Sequence, residues 1–218
     1  MARTHEGGLT LSPSSALFCQ RQKILKRTVD YVLDPEKEYK ALGGTAYHKV
    51  LETGDQNSEL FLQMPFVYPD ETTVWMRCRI DHYDETWERV TDYKTLDEFM
   101  SYDPVTKKRT RTKLPREKDE IQVQLYVLVL RYNGRPVSRA QIAYLKRGGD
   151  PARQTVPVPI WDEEEIYLTA YELGKPMAEY LRSGTLPPAF AKDSPEYKRQ
   201  CTYCPVFDAC RELAANGE

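Results

Sequence analysis

No apolar run in this sequence is long enough to cross a membrane. The longest unbroken aliphatic and aromatic stretch is Leu125 to Leu130, against the roughly 20 residues that a helical span requires. The amino-terminal MARTHEGGLT has no apolar core, so no secretory signal is expected. Neither sign of charge is in excess. The net charge is -2, so the whole molecule is no electrostatic magnet for nucleic acid, and any attraction has to come from local patches. Internal repeats and low-complexity segments are absent. Cysteine is scarce and odd in number, at five. Without an export signal, that count favours a reducing cytoplasm, and metal ligation over disulfides.

What is present is ordinary soluble composition, 40% hydrophobic and 29% charged over 218 residues, enough for one domain with a real core. Ser12-Pro13-Ser14-Ser15 reads as a capped helix start, with the helix running to about Arg27 and carrying Cys19. Its Arg21, Lys23, Lys26 and Arg27 form either a solvated basic face or a phosphate-contacting one. Ala41 to Thr53 reads as a second helix stopped by Gly54, and Gly44, His48 and Glu52 share one of its faces. Phe61 to Tyr68 and Thr72 to Tyr83 read as strands joined at Pro69-Asp70. In the second strand Val74, Met76, Cys78 and Ile80 form the apolar side, and Trp75, Arg77, Arg79 and Asp81 the polar side.

Trp87 to Thr95 reads as the next strand, with Glu88, Val90, Asp92 and Lys94 on one side and Tyr93 on the other. An acidic residue and a lysine side by side can hold a divalent cation and position an attacking water, and Asp81 adds a second carboxylate from the neighbouring strand. Leu96 to Lys118 reads as a long, mobile connection. Its Lys107, Lys108, Arg109, Arg111, Lys113, Arg116 and Lys118 would suit a nucleic-acid clamp. Arg116 to Arg131 reads as a mostly buried helix ended by Asn133-Gly134, with Gln122 and Tyr126 one turn apart on one face. Val137 to Lys146 and Gln154 to Ile160 read as strands. Asp162 caps a helix with an acidic first turn that continues to about Ser183, and Pro187-Pro188 starts a tail. The tail holds Cys201-x-x-Cys204-x5-Cys210. Three cysteines so close need a fourth ligand. Cys19 is the best candidate, because Cys78 faces the core. Zinc and an iron–sulfur cluster both accept four cysteines.

The order Gly44-x3-His48, Ile80-Asp81, Asp92-Tyr93-Lys94, Gln122-x3-Tyr126 resembles the RecB-like branch of the PD-(D/E)XK nuclease superfamily. The Cys19 and Cys201, Cys204, Cys210 spacing resembles its iron–sulfur subset, which includes CRISPR-associated RecB-like exonucleases and the AddB nuclease domain. Leu11-Ser12-Pro13-Ser14-Ser15 also fits, and the resemblance covers about Leu11 to Arg211. In two places the chain departs from the family. Cys78 stands where the family often has glycine, and Asp-x-Lys stands where many relatives have Glu-x-Lys.

The resemblance implies an α/β fold with a restriction-endonuclease-like core, a mixed β-sheet flanked by helices. It implies a single nuclease domain over 1–218, in which 40–160 is the catalytic core. Segments 11–30 and 187–212 form an iron–sulfur region that joins the amino-terminal helix to the carboxy-terminal tail. It implies that His48, Asp81, Asp92 and the Tyr93 carbonyl bind Mn²⁺ or Mg²⁺, imidazole suiting manganese better. Lys94 then orients water, and Gln122 and Tyr126 position the lysine or the DNA backbone. Cys19, Cys201, Cys204 and Cys210 hold a structural [4Fe–4S] cluster, and Arg77, Arg79, Lys107, Lys108, Arg109, Arg111 and Lys113 contact DNA. The expected function is a cytoplasmic, metal-dependent deoxyribonuclease, an exonuclease acting 5′-to-3′ on single-stranded ends. The same motifs serve in end-processing subunits that trim spacer precursors beside an integrase or recombination proteins. A reading from another class is a cluster-bearing DNA-binding module without catalysis. The set Asp81, Asp92, Lys94 and His48 argues against it, because binding alone has no need of that combination.

Overall fold

The computed structural model describes residues 10–33, 58–96, 99–102, 109–111, 113–146 and 152–215. The chain divides into two compact units. One comprises Met1–Lys40, Gln63–Arg77 and Tyr167–Glu218, and the other Ala41–Leu62 and Cys78–Ile166. The expected helix from Ala41 to Thr53, with Gly44, His48 and Glu52, lies outside the described residues.

In the first unit, β1 (Thr10–Leu11) pairs in parallel with the start of β3 (Thr73–Asp84), setting Thr10 opposite Trp75 and Leu11 opposite Met76. The single helix expected from Ser12 to Arg27 is instead two helices, α1 (Pro13–Ala16) and α2 (Gln20–Thr28). The cause is local. Ser12 and Ser15 close a capping box over the first turn, and the Cys19 sulfur caps α2 by accepting the Gln22 N–H at 3.4 Å. Both ends thereby find partners for orphan backbone groups, so the chain gains by stopping and restarting. Arg21, expected on a basic outer face, is buried, and its Nη1 donates to the Pro187 carbonyl at 3.0 Å. The tail is partly helical. It forms α5 (Pro195–Gln200), a 3₁₀ turn (Cys201–Tyr203) and α6 (Phe207–Ala215), with α6 packed on α2; the two helices follow α3 (Glu117–Tyr132) and α4 (Glu163–Ser183) in the chain.

Strand alternation in β3 follows the expected pattern. Val74, Met76, Cys78 and Ile80 are buried, while Trp75, Arg77 and Arg79 are exposed. The neighbouring β2 (Ser58–Val67) pairs with β3. In the second unit, β4 (Arg89–Leu96) begins two residues later than expected. Trp87 and Glu88 belong to the turn, where Asp84 Oδ1 accepts the Trp87 N–H at 3.1 Å and Glu88 takes φ 45°. The connection from Leu96 to Lys118 is not wholly irregular. β5 (Met100–Tyr102) and β6 (Arg109–Arg111) pair antiparallel within it.

The strand β4 pairs antiparallel with β3 and parallel with β7 (Arg139–Lys146), and β7 pairs antiparallel with β8 (Arg153–Val158). The result is a mixed sheet, with α3 packed on β4 and β7. All eight residues of α3 from Val123 to Leu130 are buried. Each large apolar side chain among them contributes about 1.5–3 kcal/mol of burial. The helix stops where expected. Gly134 takes φ 74°, and the Arg135 N–H reaches the Leu130 carbonyl at 3.0 Å, the pattern of a glycine-terminated helix. Asp162 caps α4 through the Glu164 N–H at 2.9 Å. Among the described residues no helix is long and apolar enough to cross a membrane.

Candidate active site

The strands β3 and β4 pair through His82 with Thr91, Tyr83 with Val90 and Asp84 with Arg89. Beyond His82 the pairing ends. There Asp81 Oδ2 accepts the Tyr93 N–H at 2.8 Å. A side-chain carboxylate thus takes a bond that a strand backbone ordinarily supplies. Asp81 and Asp92 come together at this fork, near enough for the charge of Asp81 to raise the Asp92 carboxyl.

Asp92 and Lys94 lie on the same side of β4, as alternation requires. Asp92 is wholly buried. Its Oδ1 accepts from Lys94 Nζ at 2.9 Å and from Gln122 Nε2 at 3.1 Å. Its Oδ2 lies 2.8 Å from Lys94 Nζ, an ion-pair distance, yet accepts no hydrogen bond of good geometry. Gln122 completes the set. Its Oε1 accepts from Lys94 Nζ at 3.0 Å, and its Nε2 also donates to the Tyr126 hydroxyl at 2.7 Å. An amide presents donors at one end and an acceptor at the other, so one side chain serves lysine, aspartate and tyrosine together.

Burial pushes the Asp92 carboxyl up to about 7, against the pull of Lys94 and with a further push from Asp81. Burial, and then the Asp92 carboxylate, hold the Tyr126 hydroxyl well above its ordinary range. A buried carboxylate oxygen without a hydrogen bond is costly unless a cation meets it. Lys94 Nζ meets that oxygen as an ion pair only, and the carboxylate oxygens of Asp92 and Asp81 together fit a divalent metal. Carboxylate and carbonyl oxygens are the donors that Mg²⁺ and Mn²⁺ prefer.

Cys19, Cys201, Cys204 and Cys210 line one pocket, shared with Gln22, Tyr197 and Phe207. All four are free thiols. The backbone N–H of Cys19 donates to Gln200 Oε1 at 2.8 Å, which ties the start of α2 to the tail. Burial raises the Cys19 thiol, and the neighbouring Cys204 and Cys210 raise it further. Burial and then the other three cysteines raise Cys201. Four sulfur atoms lining one pocket are the donor set that a thiolate-bound metal centre would take. Among the described residues no group of three or more His, Cys, Asp or Glu side chains is placed to hold a metal ion. Cys78 stands apart, buried in β3, and burial alone raises its thiol.

The remaining expected site residues are scattered. Arg77 and Arg79 are exposed on β3, and Arg79 stands 5.8 Å over the Phe61 ring. Lys113 is exposed. Arg109 and Arg111 lie in β6, without described side chains, and Lys107 and Lys108 lie outside the described residues, as does His48. One participant escaped sequence reasoning. Asp119 is buried, accepts from Arg116 Nε at 2.5 Å and from the Tyr144 hydroxyl at 2.9 Å, and adds to the raising of Asp92. Its place one turn before Gln122 on α3 was the available signal.

The model of the PD-(D/E)XK nuclease superfamily matches residues 19–211 of this chain. Solved structures that share its fold include the following two. The protein SSO0001 does so with TM-score 0.55 at 18% identity, over 94% of this chain and 88% of that one. A candidate exonuclease from Eubacterium rectale does so with TM-score 0.55 at 13% identity, over 97% of this chain and 93% of that one. No curated protein matches the sequence.

Proposed function

Because the chain belongs to the PD-(D/E)XK nuclease superfamily, a group of metal-dependent nucleases, we propose that it is a DNA exonuclease that degrades single strands from the 5′ end. The observation that carries this reading is the buried Asp92 carboxylate, held by Lys94 and Gln122 with one oxygen left without a hydrogen bond. The exonuclease assigned as a candidate in Eubacterium rectale shares the fold and supports the mode of action.

Asp81, Asp92, the Tyr93 carbonyl and His48 would hold Mn²⁺ or Mg²⁺. The ion, when bound, supplies Lewis-acid charge to the scissile phosphate. Lys94 Nζ, fixed by Asp92 and Gln122, orients the attacking water and offsets negative charge as the phosphorus is attacked in line. Tyr126 holds Gln122, and Gln122 holds the lysine, so neither needs to reorganise during the reaction. The exposed Arg77, Arg79 and Lys113, with Lys107, Lys108, Arg109 and Arg111, would grip the phosphate backbone in a salt-dependent way.

The cysteine pocket extends the reading. A lone zinc ion requires four sulfurs at about 2.3 Å from one centre. Four cysteines gathered in one pocket are the donor set that an iron–sulfur centre would take. We assign it to Cys19, Cys201, Cys204 and Cys210 as a structural [4Fe–4S] cluster within the first unit, leaving catalysis to the second.

The test is degradation of linear and circular single-stranded DNA, labelled at either end, in Mn²⁺, with Lys94→Met as control. Loss of linear DNA alone, with small products from the 5′ label, is the expected result. Equal degradation by the parent and by Lys94→Met would sink the assignment. Products from the 3′ label first would reverse the polarity.

A further inference from the structure

Alternation along β4 turns Arg89 and Thr91 away from the side that carries Asp92 and Lys94. In register with β7, Arg89 stands opposite Arg139 and Thr91 opposite Gln141. Gln141 Nε2 donates to Thr91 Oγ1 at 2.9 Å. On this side lies a cavity of about 530 Å³, whose lining includes Arg89, Ser138, Arg139, Gln141, Pro157 and Ile160. That size suits a small ligand, for which sites of roughly 300–1,000 Å³ are usual. The whole lining belongs to the second unit.

The chemistry of the lining is one-sided. Its polar side chains are two guanidiniums, a hydroxyl and an amide, and no carboxylate is among them. Asp84 reaches Arg89 Nη2 at 3.3 Å, but Arg89 Nε is buried without a hydrogen-bond partner. The Arg139 guanidinium stands 5.6 Å over the ring of Trp87, which is 55% exposed. Pro157, Val158, Pro159 and Ile160 supply an apolar wall. Two arginines suit a phosphate. The Trp87 indole lies outside the lining, against Arg139, and its exposed surface offers a stacking face to a base.

We propose that this cavity binds one phosphorylated nucleotide unit. Arg89 and Arg139 take the phosphate, and Trp87 and the apolar wall take the base and sugar. The proposal rests on the reading of the chain as a DNA exonuclease, and it gives the strand a second hold, on the side of β4 away from the hydrolytic carboxylates. The same chemistry can be presented by a segment of single-stranded DNA or by a released mononucleotide.

Binding of a short oligothymidylate and of 5′-dTMP to the full chain, measured by calorimetry in EDTA over a range of salt, tests it. Arg139→Gln should weaken binding about tenfold and lower the salt slope by about one. Trp87→Leu should also weaken it about tenfold, with little change in that slope. Both side chains are exposed, so melting temperatures should hold. Arg153→Gln, an exposed arginine of β8 outside the lining, controls for bulk charge and should change little. An Arg139-dependent effect on oligothymidylate alone assigns the site to the strand, and one that includes 5′-dTMP assigns it to the product as well. Unchanged binding in Arg139→Gln and Trp87→Leu, by a chain that cleaves DNA in Mn²⁺, would overturn this site and leave the nuclease reading standing. Wild-type chain that binds neither probe would also overturn the site, and its cleavage in Mn²⁺ then decides the nuclease reading separately.

Discussion

Replacing Lys94 by methionine removes the cation beside a fully buried carboxylate. Lys94 Nζ lies 2.8 Å from Asp92 Oδ2 and donates to Oδ1. Methionine keeps much of the apolar stem and deletes the charge. Leaving one partner of a buried pair uncompensated costs about 3–5 kcal/mol. The carboxyl has a way out, which is to take up a proton. Burial already raises it to about 7 while Lys94 pulls it down, so loss of Lys94 raises it further. Between about pH 7 and that higher value, the folded variant carries one proton that the folded parent lacks, and the unfolded chains are alike. The stability gap should therefore widen by about 1.4 kcal/mol per pH unit above 7, up to the limit of about 3–5. Below 7 both folded forms hold the proton and the gap should be flat. Denaturant unfolding of both proteins in EDTA, from about pH 6 to about pH 9, reads this directly. EDTA keeps a divalent cation from replacing the lysine. A gap that is absent, or constant over the whole range, would refute the reasoning.

Asp81→Asn keeps an oxygen for the Tyr93 N–H, so melting should move little while cleavage in Mn²⁺ falls at least about a hundredfold; full activity would remove Asp81 from the site. Cys201→Ala should lose brown colour, iron and thermal stability together, because the binding energy of a structural metal centre is folding energy; unchanged iron content and melting would refute the cluster. Gly174→Ala should destabilise the first unit by about 1–3 kcal/mol, because a methyl group there meets the Tyr68 hydroxyl, which donates to the Tyr171 carbonyl at 2.7 Å. An unchanged melting temperature would show that Tyr68 can move aside.

Much of the site could be read from spacing, because two periods suffice for it. The two-residue period of a strand puts Asp92 beside Lys94, and the helical turn puts Gln122 beside Tyr126. The caps at Asp162 and Gly134 were equally local. What escaped depends on where segments distant in sequence meet. Asp81 finds the Tyr93 N–H only because β3 and β4 part after His82, and alternation says nothing of where a ladder forks. Asp119 and Tyr144 are 25 residues apart and meet through the packing of α3 on β7. The two-residue β1 is too short to have a period, and β5 and β6, at three residues each, are hardly longer. Arg21 read as a surface charge because its partner, the Pro187 carbonyl, comes from 166 residues away.

The amide of Gln122 has a further consequence, for how losses combine. Its nitrogen spends its hydrogens on Asp92 and Tyr126, and its oxygen accepts from Lys94. No member of this quartet can exchange donor for acceptor without stranding another, so the four side chains form one hydrogen-bonded unit. Losses there should fail to add. A chain that carries both Gln122→Leu and Lys94→Met should be hardly slower than the worse of the two alone, as in other residue sets that act as one. Loss of any one of the four should therefore leave little for a second loss to remove.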